Sequence, residues 1–215
     1  MTAFDRMIIN AEEKPDEFVY LKDWAPTIQE EVVYYTANNF IGRPIPGYEK
    51  PVCLLTKKAA STLLSVQNML NKQQLGLKVF DGYRPQMAVD DFFQWSQNLQ
   101  DQKMKAHYYP RINKADLFER HYLARQSSHT RGSTVDLTIV DLRTNAPLDM
   151  GTSFDFLDPL SHPACRTITT KQFNNRMLLQ STMISFGFAP LETEWWHFTL
   201  QDEPYKHTYF NFPVA

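Results

Sequence analysis

The chain has 215 residues, of which 43% are hydrophobic and 21% charged, and its formal net charge is −2. This composition excludes a wholly disordered chain, and the charge balance lacks the basic field that a nucleic-acid partner or an anionic membrane surface requires. We expect a single domain over residues 1–215, because neither an internal repeat nor a Gly/Ser-rich linker divides the chain.

The N-terminus and the cysteines predict the compartment. Residues 1–10 contain no apolar core of the kind found in signal peptides, and the chain turns acidic at Glu12. No apolar run approaches the roughly 20 residues that a membrane span needs. Cys53 and Cys165 belong to no C-x-x-C pair, so we expect two free, mostly buried thiols rather than a disulfide framework. These features predict a cytoplasmic protein without membrane contact.

In chain order, the first half predicts strands and helices separated by one irregular loop. Three segments have a strand-forming composition, namely residues 17–22, 31–36 and 77–80. The loop at 40–51 holds three prolines and two glycines. A helix is predicted from the capping residue Thr56 to about Gln74, with Gly76 as its stop. A second helix is predicted after Pro85, because proline suits the first turn of a helix.

The second half predicts further elements without a regular strand–helix–strand rhythm. They are a helix at 115–125, a strand at 135–140, an acidic loop at 150–162 and a strand at about 195–200. Between the last two, Thr169 or Thr170 caps a helix that Gly187 closes. The helical spacing of that segment relates Phe173, Met177, Gln180 and Ile184. This order predicts an α+β fold, with an antiparallel or mixed central sheet flanked by helices.

The first candidate site lies in Ser127-Ser-His-Thr-Arg-Gly-Ser-Thr-Val-Asp136. Gly132 lets the backbone fold back, so that His129 and Asp136 can converge. An ionised Asp at the start of an apolar strand needs a strong partner, and Zn²⁺ accepts imidazole nitrogen and carboxylate oxygen. Alone, the segment leaves open a structural role, in which His129 bonds a loop carbonyl and Asp136 caps a turn.

The second candidate site is Glu194-Trp-Trp-His197, which leads into a strand-forming segment. Residues three apart on a strand face opposite sides, so both can share one site only if Glu194 lies in the preceding turn. Alone, this segment also leaves open a solvated Glu194 and a core His197. The other histidines lack a comparable partner spacing, and we expect structural roles for His107, His121, His162 and His207.

Considered together, the two segments predict a catalytic metal site. His129, Asp136 and His197 would be three protein ligands, as in catalytic rather than structural zinc sites. Glu194 beside them would be a general base. Arg84, in Phe80-Asp-Gly-Tyr-Arg-Pro85, would stabilise an oxyanion. The alternative for Arg84 is a surface ion pair with Asp81 or another carboxylate.

Four segments resemble the VanX-type zinc D-alanyl-D-alanine dipeptidases, and the resemblance covers most of the chain. They are Asp-Gly-Tyr-Arg-Pro at 81–85, Ser-Ser-His-Thr-Arg-Gly-Ser-Thr-Val-Asp-Leu-Thr at 127–138, Met-Gly-Thr-Ser-Phe-Asp-Phe at 150–156, and Glu-Trp-Trp-His at 194–197. The histidine, aspartate and glutamate spacing is shared with D,D-carboxypeptidases and hedgehog-type domains, so the resemblance implies a fold of that type. The double tryptophan and the Phe-Asp-Phe loop are more specific to the dipeptidases. Asn38 stands where the family commonly has Asp.

The resemblance implies a set of site residues and a cofactor. One zinc ion per chain would be bound by His129, Asp136 and His197. Glu194 would be the acid and base, and Arg84 would stabilise the transition state. Two further residues match family positions near the substrate, Ser127 and Asp155, and the latter suits a free ammonium group.

The resemblance also implies an activity. The substrate would be the small dipeptide D-Ala-D-Ala, hydrolysed to two D-Ala in cell-wall precursor turnover or glycopeptide resistance. A D,D-carboxypeptidase acting on longer muropeptides is one alternative, which the expected cytoplasmic location disfavours. A non-catalytic zinc-binding module is the other, which intact Glu194 and Arg84 disfavour. The oligomeric state does not follow from the sequence.

Overall fold

A mixed six-stranded sheet organises the protein in this computed structural model, which describes residues 7–215. The strands are β1 (Met7–Asn10), β2 (Phe18–Tyr20), β3 (Gln29–Glu30), β4 (Leu54–Thr56), β5 (Leu75–Asp81), β6 (Thr134–Asp141), β7 (Ala146–Pro147), β8 (Phe188–Pro190), β9 (His197–Leu200) and β10 (Thr208–Asn211). The helices are α1 (Leu21–Trp24), α2 (Lys57–Asn71), α3 (Gln86–Gln97), α4 (Lys105–Tyr108) and α5 (Thr170–Ser185). The prediction that residues 1–10 do not form a signal peptide concerns in part residues 1–6, which lie outside the described residues.

The strand order of the main sheet is β3-β5-β6-β9-β8, with β7 paired to the end of β6. β3 and β5 are parallel, and the other neighbours are antiparallel. Two small pairs, parallel β1–β10 and antiparallel β2–β4, lie outside this sheet. The predicted α+β class with a mixed central sheet is therefore confirmed. No helix within residues 7–215 has the length and apolar character to span a membrane.

The central strand β6 places the candidate site. Nearly every residue of β6 is buried, as expected for a strand covered on both faces. Asp136 near its start lies opposite His197 on β9 and opposite Asp81 on β5. A register shift in β5 between Val79 and Asp81 allows the second pairing, and such bulges re-aim side chains next to active sites.

Local capping explains the two longest helices, and both are confirmed. The Thr56 hydroxyl accepts a hydrogen bond from Ala59 N at 3.3 Å and begins α2. Thr169 and Gln172 form a reciprocal capping box at the start of α5. The helical spacing of Phe173, Met177, Gln180 and Ile184 does not mark the buried face of α5. Ile184 is 50% exposed, and the buried residues are Arg176, Leu179, Thr182 and Met183.

Several other predicted elements differ from the structure. The strand at 31–36 is wrong: β3 ends at Glu30, and Val33–Tyr35 form a 3₁₀ turn that buries Tyr34. The helix at 115–125 is also wrong. Its 3₁₀ turn, Lys114–Asp116, ends early, and His121 has a φ of 60° that no right-handed helix accepts.

Two predicted strands are shorter than expected. The segment 17–22 contains β2, but α1 begins at Leu21. The last strand, expected from about 195, begins at His197. Cys53 and Cys165 are free, as predicted, although Cys165 is only half-buried.

The C-terminal tail supports the loop that follows β5. The Tyr83 ring stacks on Phe212 with a centroid distance of 4.1 Å. Its hydroxyl donates to Phe212 O at 3.1 Å and accepts from Phe212 N at 3.0 Å. Tyr83 directly precedes Arg84, so contacts 129 residues away along the chain help to position the arginine.

Gly132 supplies a conformation and a space that alanine would not tolerate. Its φ is 80°, and a Cβ there would lie 2.2 Å from Phe18 Cε1. We expect Gly132→Ala to lose about 1–2 kcal/mol from the left-handed backbone and a further ~1–3 kcal/mol from overpacking. Gly187→Ala is the matched control, since its φ is 86° but no atom lies within 4 Å of a new Cβ. Equal losses in urea unfolding would contradict the steric argument.

Candidate active site

Three predicted ligand atoms converge at the start of β6 and β9. His129 Nε2 lies 3.2 Å from Asp136 Oδ2 and 3.2 Å from His197 Nδ1. His197 Nδ1 lies 3.1 Å from Asp136 Oδ1. His129 stands on a 3₁₀ turn, Ser128–Arg131, which Gly132 ends with its left-handed backbone. The structure therefore brings these three residues together, and the predicted folding back at Gly132 is confirmed.

The outer nitrogens of both imidazoles have polar neighbours that orient the rings. His129 Nδ1 lies 2.7 Å from Gly82 O, and because a carbonyl only accepts, this nitrogen donates. The inner Nε2 then presents a lone pair. His197 Nε2 lies 3.3 Å from Ser128 Oγ, which lets Nδ1 present a lone pair in the same way. Two imidazole lone pairs and one carboxylate consequently point at the same small space.

This donor set fits a zinc ion. Ligand atoms held about 2.0–2.1 Å from a tetrahedral zinc ion lie roughly 3.3 Å apart, close to the distances found. Asp136 Oδ1 is buried without a well-formed hydrogen bond within the described chain, although His197 Nδ1 is near. A bound cation would account for such an orphaned oxygen.

Glu194 lies beside the ligand atoms in the turn before β9, as predicted. Its Oε2 is 3.7 Å from His197 Nδ1, and its side chain is buried. Burial, followed by the charges of Asp136 and Asp155, raises the pKa of Glu194 well above its usual value. A carboxyl group with a raised pKa can both take and return a proton near neutral pH.

Arg84 is buried and held by two carboxylates. Its Nε and Nη2 each lie 2.9 Å from Asp81 Oδ2, and Nη2 lies 3.5 Å from Asp136 Oδ2. Asp81 and Asp136 are cross-strand neighbours, and like charges directly opposite each other repel. The guanidinium between them offsets that repulsion. The pairing with Asp81 weighed as a surface alternative does form, but inside the protein and beside the candidate site.

Asp155 is buried in the loop between β7 and α5. It has a φ of 58°, which is strained for a residue other than glycine. Its Oδ2 accepts a hydrogen bond from the Tyr34 hydroxyl at 2.8 Å. Burial, reinforced by the charge of Asp136, raises the pKa of Asp155 to about 8. Within residues 7–215, the Tyr34 hydroxyl is a neutral donor to it, and the charge of Arg84 lowers its pKa less than burial raises it.

Ser127 has a structural role that the sequence did not suggest. Its hydroxyl accepts a hydrogen bond from His129 N at 3.3 Å and so caps the 3₁₀ turn that bears His129. It also lines the cavity described next.

A cavity of about 410 Å³ joins all these groups. Its wall includes Tyr34, Arg84, Ser127, Asp155 and Glu194. A larger cavity, about 860 Å³, is also lined by Asp155 but by none of the proposed metal ligands. We assign the chemistry to the smaller one, because convergent polar groups and shifted pKa values mark a site better than volume does.

Three residues of the site were not singled out from the sequence. Tyr34 is 121 residues from Asp155, and nothing in the local pattern connects them. Ser128 lies within the histidine motif, next to Ser127, but its contact with His197 spans 69 residues. Asp81 shares a short motif with Arg84, so it was weighed only as that residue's alternative partner.

Comparison with known proteins identifies the class and the family. Residues 14–215 match the family model of peptidase M15, described as D-Ala-D-Ala dipeptidase. The chain is 41% identical over 199 residues to the D-alanyl-D-alanine dipeptidase of Streptomyces coelicolor, covering 93% of this chain and 98% of the relative. It is 41% identical to that of Enterococcus faecalis, with coverages of 92% and 98%, and 32% identical to that of Escherichia coli, with 86% and 84%.

The protein is thus an enzyme of the metallopeptidase class. More narrowly, it belongs to the D-Ala-D-Ala dipeptidase family, and the resemblance seen in the sequence motifs is confirmed. The roles of the individual site residues stay predictions.

Proposed function

We propose that this chain hydrolyses D-Ala-D-Ala to two D-Ala with one zinc ion held by His129, Asp136 and His197. The observation that supports it most is the convergence of two imidazole lone pairs and a carboxylate within 3.1–3.2 Å. When bound, zinc supplies Lewis-acid polarisation of the scissile carbonyl and makes water a nucleophile near neutral pH. Membership of the dipeptidase family supports the substrate.

Glu194 is the proposed acid and base. Its carboxylate faces the ligand atoms from the turn before β9, within 3.7 Å of His197 Nδ1. It takes the proton of the attacking water and then delivers it to the leaving amine. Its raised pKa favours keeping the proton between these two steps.

Arg84 is the proposed oxyanion stabiliser. Fixed donors aimed at developing negative charge act most strongly in a buried site. Asp81 Oδ2 accepts from both Nε and Nη2 of Arg84. The ring centroids of Tyr34 and Phe92 lie 5.0 and 5.2 Å from Arg84 Cζ. Little reorganisation of the arginine is then needed when the tetrahedral intermediate forms.

Asp155 and Ser127 are the proposed substrate-binding residues. Asp155 shares the cavity wall with Tyr34, and a substrate ammonium would pair directly with its buried carboxylate. Ser127, beside His129, offers its hydroxyl to the peptide.

We propose further that residues 1–215 act as one catalytic domain in the cytoplasm, in cell-wall precursor turnover or glycopeptide resistance. One hydrophobic cluster from Phe18 to Val214 supports the single domain.

We expect one zinc ion per chain and an activity that depends on it. Metal analysis of the purified protein should give about one zinc ion, since one cluster of His, Cys, Asp and Glu in residues 7–215 has ligand spacing. Free D-Ala should be released from D-Ala-D-Ala, lost on treatment with a chelator and restored by zinc. Full activity without metal, or two metals per chain, would contradict the proposal. Release only from longer D,D-peptides would indicate a carboxypeptidase.

A further inference from the structure

Arg176 is a buried cation that lies outside the catalytic cavity. It stands on the inward face of α5 and is 1% exposed. Within residues 7–215, no carboxylate lies within ion-pair distance of its guanidinium. Burial lowers the pKa of Arg176 to about 10. Burying a guanidinium without an ion-pair partner costs stability. A leucine would avoid this cost, so the hydrogen bonds that the arginine makes must account for its presence.

The hydrogen bonds of Arg176 all go to one segment of backbone. Nε donates to Met150 O at 2.6 Å, and Nη1 donates to Leu160 O at 2.8 Å and to His162 O at 2.9 Å. These carbonyls lie at the two ends of residues 150–162, which we call the 150–162 loop. A planar fork of donors can bridge both ends at once, which no other side chain does as well.

The 150–162 loop bears Asp155 in a strained conformation. Its φ of 58° persists only where the surroundings over-determine it. The same loop also binds the residue after Glu194, because Trp195 N donates to Ser161 O at 3.0 Å and Trp195 Nε1 donates to Thr152 Oγ1 at 2.9 Å. Trp195 directly follows Glu194.

We propose that Arg176 is a positioning residue for the reaction, acting through the 150–162 loop on Asp155. This inference rests on the proposed function. Without the hydrogen bonds from Arg176 to both ends of the loop, Asp155 would relax from its strained backbone and would bind the substrate ammonium less often. Substrate binding would suffer more than the chemical step, and discrimination against a blocked amine would fall with it.

The test compares Arg176→Met, Arg176→Lys and the wild-type holoenzyme on D-Ala-D-Ala and its N-acetyl form. Arg176→Met should raise KM for the free dipeptide at least about tenfold, since a misplacement of ~1 Å can cost ~10²-fold. Its kcat and zinc content should change far less. Arg176→Lys should lie between the two, because one ammonium group cannot hold both ends of the loop.

Lys114 offers a matched control. It is also a buried cation, 2% exposed, and donates to Asn98 O and Asp101 O, each at 2.8 Å. None of these residues lines the catalytic cavity. Lys114→Met should lower the melting temperature and leave KM and the discrimination unchanged. Arg176→Met with that same pattern would overturn the proposal.

Two further outcomes keep the inference separate from the proposed function. If Arg176→Met does not fold, Arg176→Lys decides, and a wild-type KM and discrimination in that variant would overturn the positioning role. If the wild type does not cleave D-Ala-D-Ala, the proposed function fails by itself. Hydrogen exchange then tests whether Arg176 holds the 150–162 loop. Amides of residues 153–161 should exchange faster in the Arg176 variants than in Lys114→Met. Equal exchange rates would overturn the proposal.

Discussion

Glu194→Gln is expected to lower kcat on D-Ala-D-Ala by ~10²–10⁴ while about one zinc ion per chain is retained. General acid and base groups typically contribute that factor. Glutamine has nearly the same shape as glutamate but neither takes nor returns a proton under these conditions. The side chain lies beside the three ligand atoms without belonging to their cluster, so metal binding should survive. Steady-state kinetics with metal analysis on the same sample measures both quantities.

Two variants frame that result. Glu192→Gln, at an exposed position two residues earlier, should keep wild-type kinetics. His197→Ala should lose the metal together with the activity, because it removes one of three ligands. A near-normal rate in Glu194→Gln would show that another group moves the proton and that our mechanism is wrong.

N-acetylation of the dipeptide is expected to lower kcat/KM by at least ~30-fold. Losing one partner of a desolvated charge pair typically costs ~2–5 kcal/mol, and each ~1.36 kcal/mol is a factor of ten in rate. The acetylated amine carries no charge to pair with Asp155. Burial already raises the pKa of Asp155 to about 8, so its ionised form depends on a cation that the free dipeptide brings.

Asp155→Asn should reduce this discrimination, mostly by weakening the free dipeptide. The measurement compares wild type and variant, each with D-Ala-D-Ala and its N-acetyl form. Asp149→Asn is the matched control, since Asp149 lies in the neighbouring exposed segment and bonds to Gln172 and Gly151 rather than to the catalytic cavity. Unchanged discrimination in Asp155→Asn would show that another group binds the substrate ammonium. Equal wild-type rates on both substrates would favour a carboxypeptidase.

The helices were predicted where capping is local. Thr56 with Ala59, and Thr169 with Gln172, are contacts over three residues, which a sequence pattern can express. The 31–36 strand and the 115–125 helix were wrong for different reasons, a tertiary contact in the first segment and a local turn in the second. Tyr34 turns inward to reach Asp155, and Tyr122 N and Leu123 N both bond to Leu117 O instead of continuing a helix.

The face of α5 shows the same limit in another form. Arg176 is buried on this helix, whereas the apolar Ile184 is half exposed. Hydrophobicity alone does not predict burial where a polar side chain can reach buried hydrogen-bond partners. Arg176 has three backbone carbonyls within hydrogen-bond distance, and their positions follow from the path of the 150–162 loop.

The sequence by itself determined the α+β class, the family and the residues within each motif, because His129 with Asp136 and Glu194 with His197 are short-range patterns. Only the tertiary structure decided how the motifs meet. The antiparallel register of β6 and β9 sets Asp136 opposite His197, and the bulge in β5 brings Asp81 beside them. Tyr34 joins the site through its contact with Asp155, 121 residues away along the chain. Strand register and loop path depend on the packing of the whole chain, so local residue patterns do not encode them.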